Sequence, residues 1–335
     1  MKRCNVAIVF IFCLNLFFSG CAQKVSIKVL EPAEIDRATL TKKISVAYFE
    51  YDRVGLSNKI ETKLLEKKID GKNYFTVISR KDFDDVIAEQ KLQSSGLVEV
   101  SKAVEVGNLL GAEAIISGSV SKISSNDTYY YENRYRCVDK KCNNVVEYSV
   151  GCTKRVIGLS ADLRMVDVAK GDIIYADTLS KTAQWSHCSD DSSSLPSADI
   201  VAQNFANKMA DDFVFKLTPH YGYFQVALLD DPDIKYKARE EKLLKFALEY
   251  IEQNRLEKAE ELLTELVDAT GQKSYVAFYN LGVVKEAQGV YKDAQRYYKR
   301  ADELAMKPVE EISEAYLRIA GLIEKHKKAT EQLAK

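Results

Sequence analysis

Histidine is scarce in this chain: only His187, His220 and His326 occur among 335 residues. None stands at the spacing of a Ser/His/Asp triad or a metal-ligand pair. A glycine-rich phosphate loop is missing, and so is the glycine fingerprint of dinucleotide sites. The acidic pairs Asp190-Asp191 and Asp230-Asp231 read as solvated loop charges. These absences leave no constellation that carries chemistry, so the sequence predicts no enzyme, no cofactor and no bound metal. Charge of one sign is also lacking. With 48 basic and 49 acidic residues the formal net charge is −1, which argues against nucleic acid as a partner. The N-terminal apolar run, Val6 to Phe18, is thirteen residues, short of the ~20 that a spanning helix needs. A lasting transmembrane anchor is not expected there.

That run follows Lys2 and Arg3 and ends in Phe18-Ser19-Gly20-Cys21, the pattern of a secretory signal peptide. The ending resembles the lipobox of bacterial lipoproteins, with Phe18 where Leu is usual. The resemblance implies cleavage before Cys21 and diacylation of Cys21, with 1–20 as signal peptide and 21–41 as lipidated tether. An ordinary signal peptide cut elsewhere is the alternative. Ala22, rather than Asp, follows the cysteine; by resemblance to enterobacterial lipoproteins this implies anchoring on the periplasmic face of the bacterial outer membrane. Acyl chains on Cys21 would make the membrane a partner, stably so with two or more chains. Cys4 and Cys13 leave with the signal. Cys137, Cys142, Cys152 and Cys188 remain, an even set in an exported chain, which favours disulfides. Zinc is the alternative, but only the first pair is close and no histidine pair accompanies it.

From Ile44 the chain alternates strands and helices. The apolar run Ile44–Phe49 reads as a buried strand. Ser57 is placed to cap a helix over 58–69 with Ile60, Leu64, Leu65 and Ile69 at helical spacing. A strand over 75–78 follows, then helices over 81–92 and 100–110 and a strand over 114–120. Beyond these, Thr153–Val168 and Asp172–Trp185 flank the turn Ala169-Lys170-Gly171, a hairpin signal. The loop Ser189–Ser197 leads to an amphipathic helix over 198–217 carrying Val201, Phe205, Met209, Phe213 and Leu217. The fold class is α+β: a mixed α/β domain over 42–229, a sheet with packed helices and an extra hairpin. After Asp230-Asp231-Pro232 an all-helical domain runs over 235–335.

The helical tail repeats. Phe278, Leu281, Gly282, Gly289, Tyr291, Ala294, Tyr298 and Ala301 match the tetratricopeptide (TPR) pattern. A weaker copy runs through Phe246, Ala247, Tyr250, Leu256, Ala259, Leu263 and Gly271. A generic pair of helical hairpins is the alternative. A last helix over 309–333 reads as a cap, and two repeats with a cap sit near the minimum for a stable stack. The tail would then offer a surface to a periplasmic or outer-membrane protein partner. Tyr250, Tyr275, Tyr279, Lys285 and Tyr297 are its candidate contacts.

The first domain resembles the CsgG/HfaB family of outer-membrane lipoproteins, named for curli secretion, over roughly 42–218. The resemblance rests on Val46-Ala47-Tyr48-Phe49, Val77-Ile78-Ser79-Arg80, Glu89-Gln90, Leu109-Leu110-Gly111-Ala112, Ile116–Val120, and Met165–Val168 with Gly171-Asp172. It implies one of two roles. Some members form a homo-oligomeric ring and insert two β-hairpins per subunit as a secretion pore. Others are accessory periplasmic lipoproteins that keep the fold without the pore. A spanning strand needs ~9–11 residues with apolar alternation. The first candidate hairpin, Tyr129–Cys152, is expected to turn at Asp139-Lys140, with a Cys137–Cys142 bridge at its tip. That register sets Tyr129 against Val150, Tyr131 against Tyr148, Asn133 against Val146 and Tyr135 against Asn144. A second spanning hairpin has no return strand after Trp185, so half of the pore is expected to be missing. Pairing about Ala169-Lys170 places Cys152 opposite Cys188 and predicts a bridge between them. The expected protein is therefore a non-enzymatic, lipid-anchored scaffold or assembly factor for envelope or secretion machinery. An oligomeric secretion channel for curli-like or other protein cargo is the alternative.

Overall fold

The computed structural model describes residues 23–78 and 100–334. Contacts divide it into two units, one formed by Leu30–Gly222 with the chain's end from Glu324, the other by the residues up to Val29 with Tyr223–Ile323.

The first unit is built on a six-stranded mixed sheet. Strands β2 (Lys43–Val46), β5 (Thr76–Val77) and β6 (Ala114–Val120) are parallel, with Ile44 between Val77 and Ala114. Both faces of these strands are covered, which is why Ile44, Ile115 and Ile116 read as unbroken apolar runs. Antiparallel strands β7 (Ser124–Cys137), β8 (Val145–Asp167) and β9 (Asp172–Cys188) extend the sheet, β8 pairing with β6, β7 and β9 in turn. Helices α1 (Leu56–Glu66) and α3 (Ala198–Leu217) bury Ile60, Leu64, Phe205, Met209 and Phe213 against Leu159, Ala161, Leu163 and Met165. Helix α2 (Val100–Leu110) packs Ala103 and Val106 on Ala47, Ile115 and Val166. A two-stranded ribbon of β3 (Lys68–Ile69) and β4 (Lys72–Asn73) leads into β5.

The second unit contains the ribbon of β1 (Lys24–Glu31) and β10 (His220–Ala227), as far as these strands fall within it, and the tail helices. The helices are α4 (Ala238–Glu252), α5 (Leu256–Ala269), α6 (Tyr275–Ala287), α7 (Tyr291–Leu304) and α8 (Glu310–Ala334). They form two TPR-like helix pairs and a closing helix. Gly282 on α6 lets the Tyr298 ring of α7 lie against the helix backbone: a Cβ there would stand 2.6 Å from that ring. Tyr298 donates to the fully buried Glu286 carboxylate, which also accepts two hydrogen bonds from Arg318 at 2.9 Å. The buried acid is thus compensated by a bidentate cation and a hydroxyl.

Three expectations change. The stretch 21–41, read as a tether, contains β1, and Val25, Ile27 and Val29 are buried in the core of the helical unit. Alternation of polar and apolar residues gives β1 one buried face, and β10 supplies its ladder. At α1 the cap is not Ser57, which lies inside the helix; the Asp52 carboxylate accepts from the backbone N–H groups of Leu56 and Ser57 at 2.8 and 2.9 Å. The Tyr129–Cys152 register is shifted. Tyr129 stands opposite Thr153, Tyr131 opposite Gly151, Asn133 opposite Ser149 and Tyr135 opposite Glu147. The reason is the tip: Asp139 accepts from the N–H groups of Lys141, Asn143 and Asn144, and Cys142 takes a left-handed φ of 56°. These bonds lengthen the turn beyond Asp139-Lys140. The signal segment 1–20, Cys21, the helix over 81–92 and the blocks at Ser79-Arg80 and Glu89-Gln90 lie outside the described residues. Among the described residues no helix is long and apolar enough to cross a membrane.

Candidate functional site

The β7–β8 hairpin carries two bridges, Cys137–Cys142 at its tip and Cys152–Cys188 at the register position that joins β8 to β9. Directly paired residues share a face of the sheet. One face therefore holds Tyr129, Tyr131, Asn133 and Tyr135 with Thr153, Gly151, Ser149 and Glu147. The three tyrosines are 78%, 81% and 68% exposed. The other face holds Tyr130, Glu132, Arg134 and Arg136 with Cys152, Val150, Tyr148 and Val146. Here Tyr130 and Tyr148 pack on Val150 and the Cys152–Cys188 bridge. Charge stands on both faces, Glu147 on one and Glu132, Arg134 and Arg136 on the other.

Near its root the hairpin is tied to the loop before α3. Arg155 donates to both oxygens of Asp127 at 2.8 and 2.7 Å and to the Pro196 carbonyl at 3.1 Å. The hydrogen bond from Arg155 holds the Asp127 carboxyl below the usual carboxylate range. At the tip, the N–H groups of Asn143, Asn144 and Lys141 do the same for Asp139. Glu132, Cys152 and Cys188 converge within 4.8 Å, the one such group among the described residues. With the two sulfurs bonded to each other, a single carboxylate is left to ligate, which does not make a metal site.

The tail candidates separate. Tyr279 is 1% exposed and donates to the Ala227 carbonyl at 2.8 Å, so its ring belongs to the core and offers no surface to a partner. Lys285 is held by Glu260 at 2.6 Å. Tyr250, Tyr275 and Tyr297 are half-buried and keep an accessible edge; Arg255 lies 4.7 Å from the Tyr250 ring centre.

The blocks quoted for the family resemblance have structural work where they are described. Gly118 meets the Asp162 carbonyl so closely that a Cβ would stand 2.4 Å from it. Asp167 accepts from the Lys170 N–H at 3.0 Å and closes the β8–β9 turn, while Asp172 pairs with Arg37. Sequence reasoning overlooked Tyr51, Arg53 and Lys122, which line a cleft of about 660 Å³. The available signal was positional: the segments carrying them follow the C-terminal ends of the parallel strands β2 and β6, where open α/β sheets place ligands.

Residues 41–191 match the family model described as curli production assembly/transport component CsgG. Among solved structures, the LpoB C-terminal domain from Salmonella enterica is similar at 12% identity and a TM-score of 0.27, over 45% of this chain and 95% of that one. Lipoprotein GNA1162 from Neisseria meningitidis is similar at 15% identity and a TM-score of 0.25, over 50% and 98%. No curated protein matches the chain.

Proposed function

We propose, from the match of residues 41–191 to the CsgG family model, that the chain is a lipid-anchored scaffold or assembly factor of the bacterial envelope. Acyl chains on Cys21 hold it to the periplasmic face of the outer membrane. The CsgG domain is the structural body, and the TPR-like tail recruits an envelope or secretion protein through Tyr250, Tyr275 and Tyr297. No bond is made or broken; the activity is bridging.

The observation that carries the scaffold reading is charge on both faces of the projecting hairpin. A strand that faces lipid needs one uniformly apolar face, and here Glu147 stands among the tyrosines while Glu132, Arg134 and Arg136 occupy the opposite side. After β9 the chain turns into the loop before α3 rather than into a second projecting hairpin. The channel reading draws on length alone: β8 runs 23 residues, more than the ~9–11 of a spanning strand.

The test is detergent dependence. The Cys21→Ala chain lacking residues 1–20 is expected to be water-soluble and monomeric by light scattering. A lipidated chain that runs as a ring of many subunits and conducts ions across a planar bilayer overturns the scaffold in favour of the channel.

A further inference from the structure

The cleft at the ends of β2 and β6 lies within the first unit. Its floor is apolar, formed by the buried Val54 and Val120 and the half-buried Ile123. Around it stand Tyr51, Arg53, Lys122, Gln203 and Asp199. At about 660 Å³ it falls within the roughly 300–1,000 Å³ of ligand clefts. Its position is the one the topology favours, because Tyr51–Val54 follow β2 and Val120 ends β6 with Ser121–Ile123 after it, two parallel strands with their C-terminal ends together.

Two observations say what would fill it. Arg53 and Lys122 both line the cleft and have no ion-pair partner among the described residues, and Asp199 is the single acid in the lining, so the rim is net cationic. Tyr51 is the second. Its backbone is left-handed, φ 58°, and its ring is 79% exposed. A non-glycine aromatic rarely adopts that conformation. It is held there by bonds on either side: Glu50 donates to the Gly118 carbonyl at 3.0 Å, Val120 donates to the Glu50 carbonyl at 2.8 Å, and Arg53 donates to the Tyr51 carbonyl at 2.9 Å. The sheet thus presents an aromatic ring to solvent at the cost of backbone strain, which accumulates where a ligand is to be met.

We propose that this cleft binds an acidic peptide segment, an apolar side chain resting on Val54, Val120 and Ile123 beneath the Tyr51 ring and a carboxylate lying between Arg53 and Lys122. Gln203 offers an amide to the peptide backbone. Asp199 restricts the site to one carboxylate at that end. Basic peptides are rejected by the same two cations.

The experiment uses the full-length chain in detergent and a fluorescent octapeptide of alternating leucine and glutamate, read by anisotropy. Binding is expected, weakening as salt is raised because part of the attraction is between exposed charges. Arg53→Glu and Lys122→Glu should each weaken it by about tenfold, that is by about 1.4 kcal/mol. Tyr51→Gly separates site from scaffold: it removes the ring while relieving the left-handed strain, so affinity falls while the melting temperature holds or rises. The alternating leucine–lysine octapeptide should not bind. Equal binding of the two peptides overturns the proposal, and so does unchanged affinity in Arg53→Glu and Lys122→Glu. Binding of phosphatidylglycerol vesicles with no binding of the acidic peptide overturns it too and assigns the cationic rim to a lipid surface.

Discussion

Lys42 stands just before β2, and its ammonium lies 3.5 Å from the centre of the Tyr74 ring with no hydrogen-bond partner for Nζ. Burial pushes its pKa down to about 8, against the opposing pull of Glu113. In the unfolded chain the lysine titrates near its ordinary 10.5. Between those two values the unfolded chain holds a proton that the folded chain has released. Stability therefore rises with pH across that window, and below it the fold carries a partly desolvated charge. The cation–π contact offsets only part of that cost. Urea midpoints measured from pH 7 to about 10.5 should climb for the native chain. Lys42→Met should be more stable at pH 7 and lack the climb. Parallel slopes in the two proteins would remove the assignment to Lys42. The contrast is with Glu286, a buried carboxylate that accepts hydrogen bonds from both Arg318 and Tyr298, where Lys42 has only the face of a ring.

At the scale of elements, the hairpin depends on its staples unequally. Cys152 and Cys188 close a loop of 36 residues, and Cys137 and Cys142 one of 5. In the chain-entropy model the larger closure contributes ~3–4 kcal/mol and the smaller ~2 kcal/mol. The Cys152→Ala/Cys188→Ala pair should therefore lower the urea midpoint more than the Cys137→Ala/Cys142→Ala pair, read by the fluorescence of Trp185 on β9. The reverse order would mean that the tip, not the root, holds the hairpin. The elements also divide by how far the sequence discloses them. Val201, Phe205, Met209, Phe213 and Leu217 recur every four residues, and that period alone places α3. The β8–β9 register was legible because its turn is short and the cysteines pair about it. The β7–β8 register was not, since three N–H bonds to Asp139 set the turn length and an odd shift exchanges the faces of β8. β1 was passed over although Val25, Ile27 and Val29 alternate plainly, because its partner β10 lies some two hundred residues away and nothing local announces it. The cleft was missed for a related reason: Tyr51, Arg53 and Lys122 form no motif in sequence and are gathered only by the parallel pairing of β2 and β6.

At the scale of the whole molecule, each unit joins one end of the chain to a separate internal stretch, so neither is a continuous stretch of sequence. The first unit includes residues from Glu324 to the end, and their attachment is specific. Gln332, fully buried, accepts from the Ala33 N–H and donates to Asp36, both at 2.8 Å. Leu333 packs on the core beneath α1 and α3. Deleting residues 324–335 strips Ala33 of its acceptor and uncovers that apolar patch. The expected loss is about 2–5 kcal/mol, one to two orphaned polar groups plus one leucine. The chain has a single tryptophan, Trp185, within the first unit, so its fluorescence reports that unit alone. The truncated chain should show the Trp185 transition at lower urea, although the deleted residues are the last in the sequence and Trp185 is near its middle. Gln332→Ala should reproduce part of the shift with the helix intact. If the Trp185 midpoint stays where it is in both variants, the end of α8 contributes nothing to the first unit, and the boundary drawn at 229 from sequence is the better description of how the chain is partitioned.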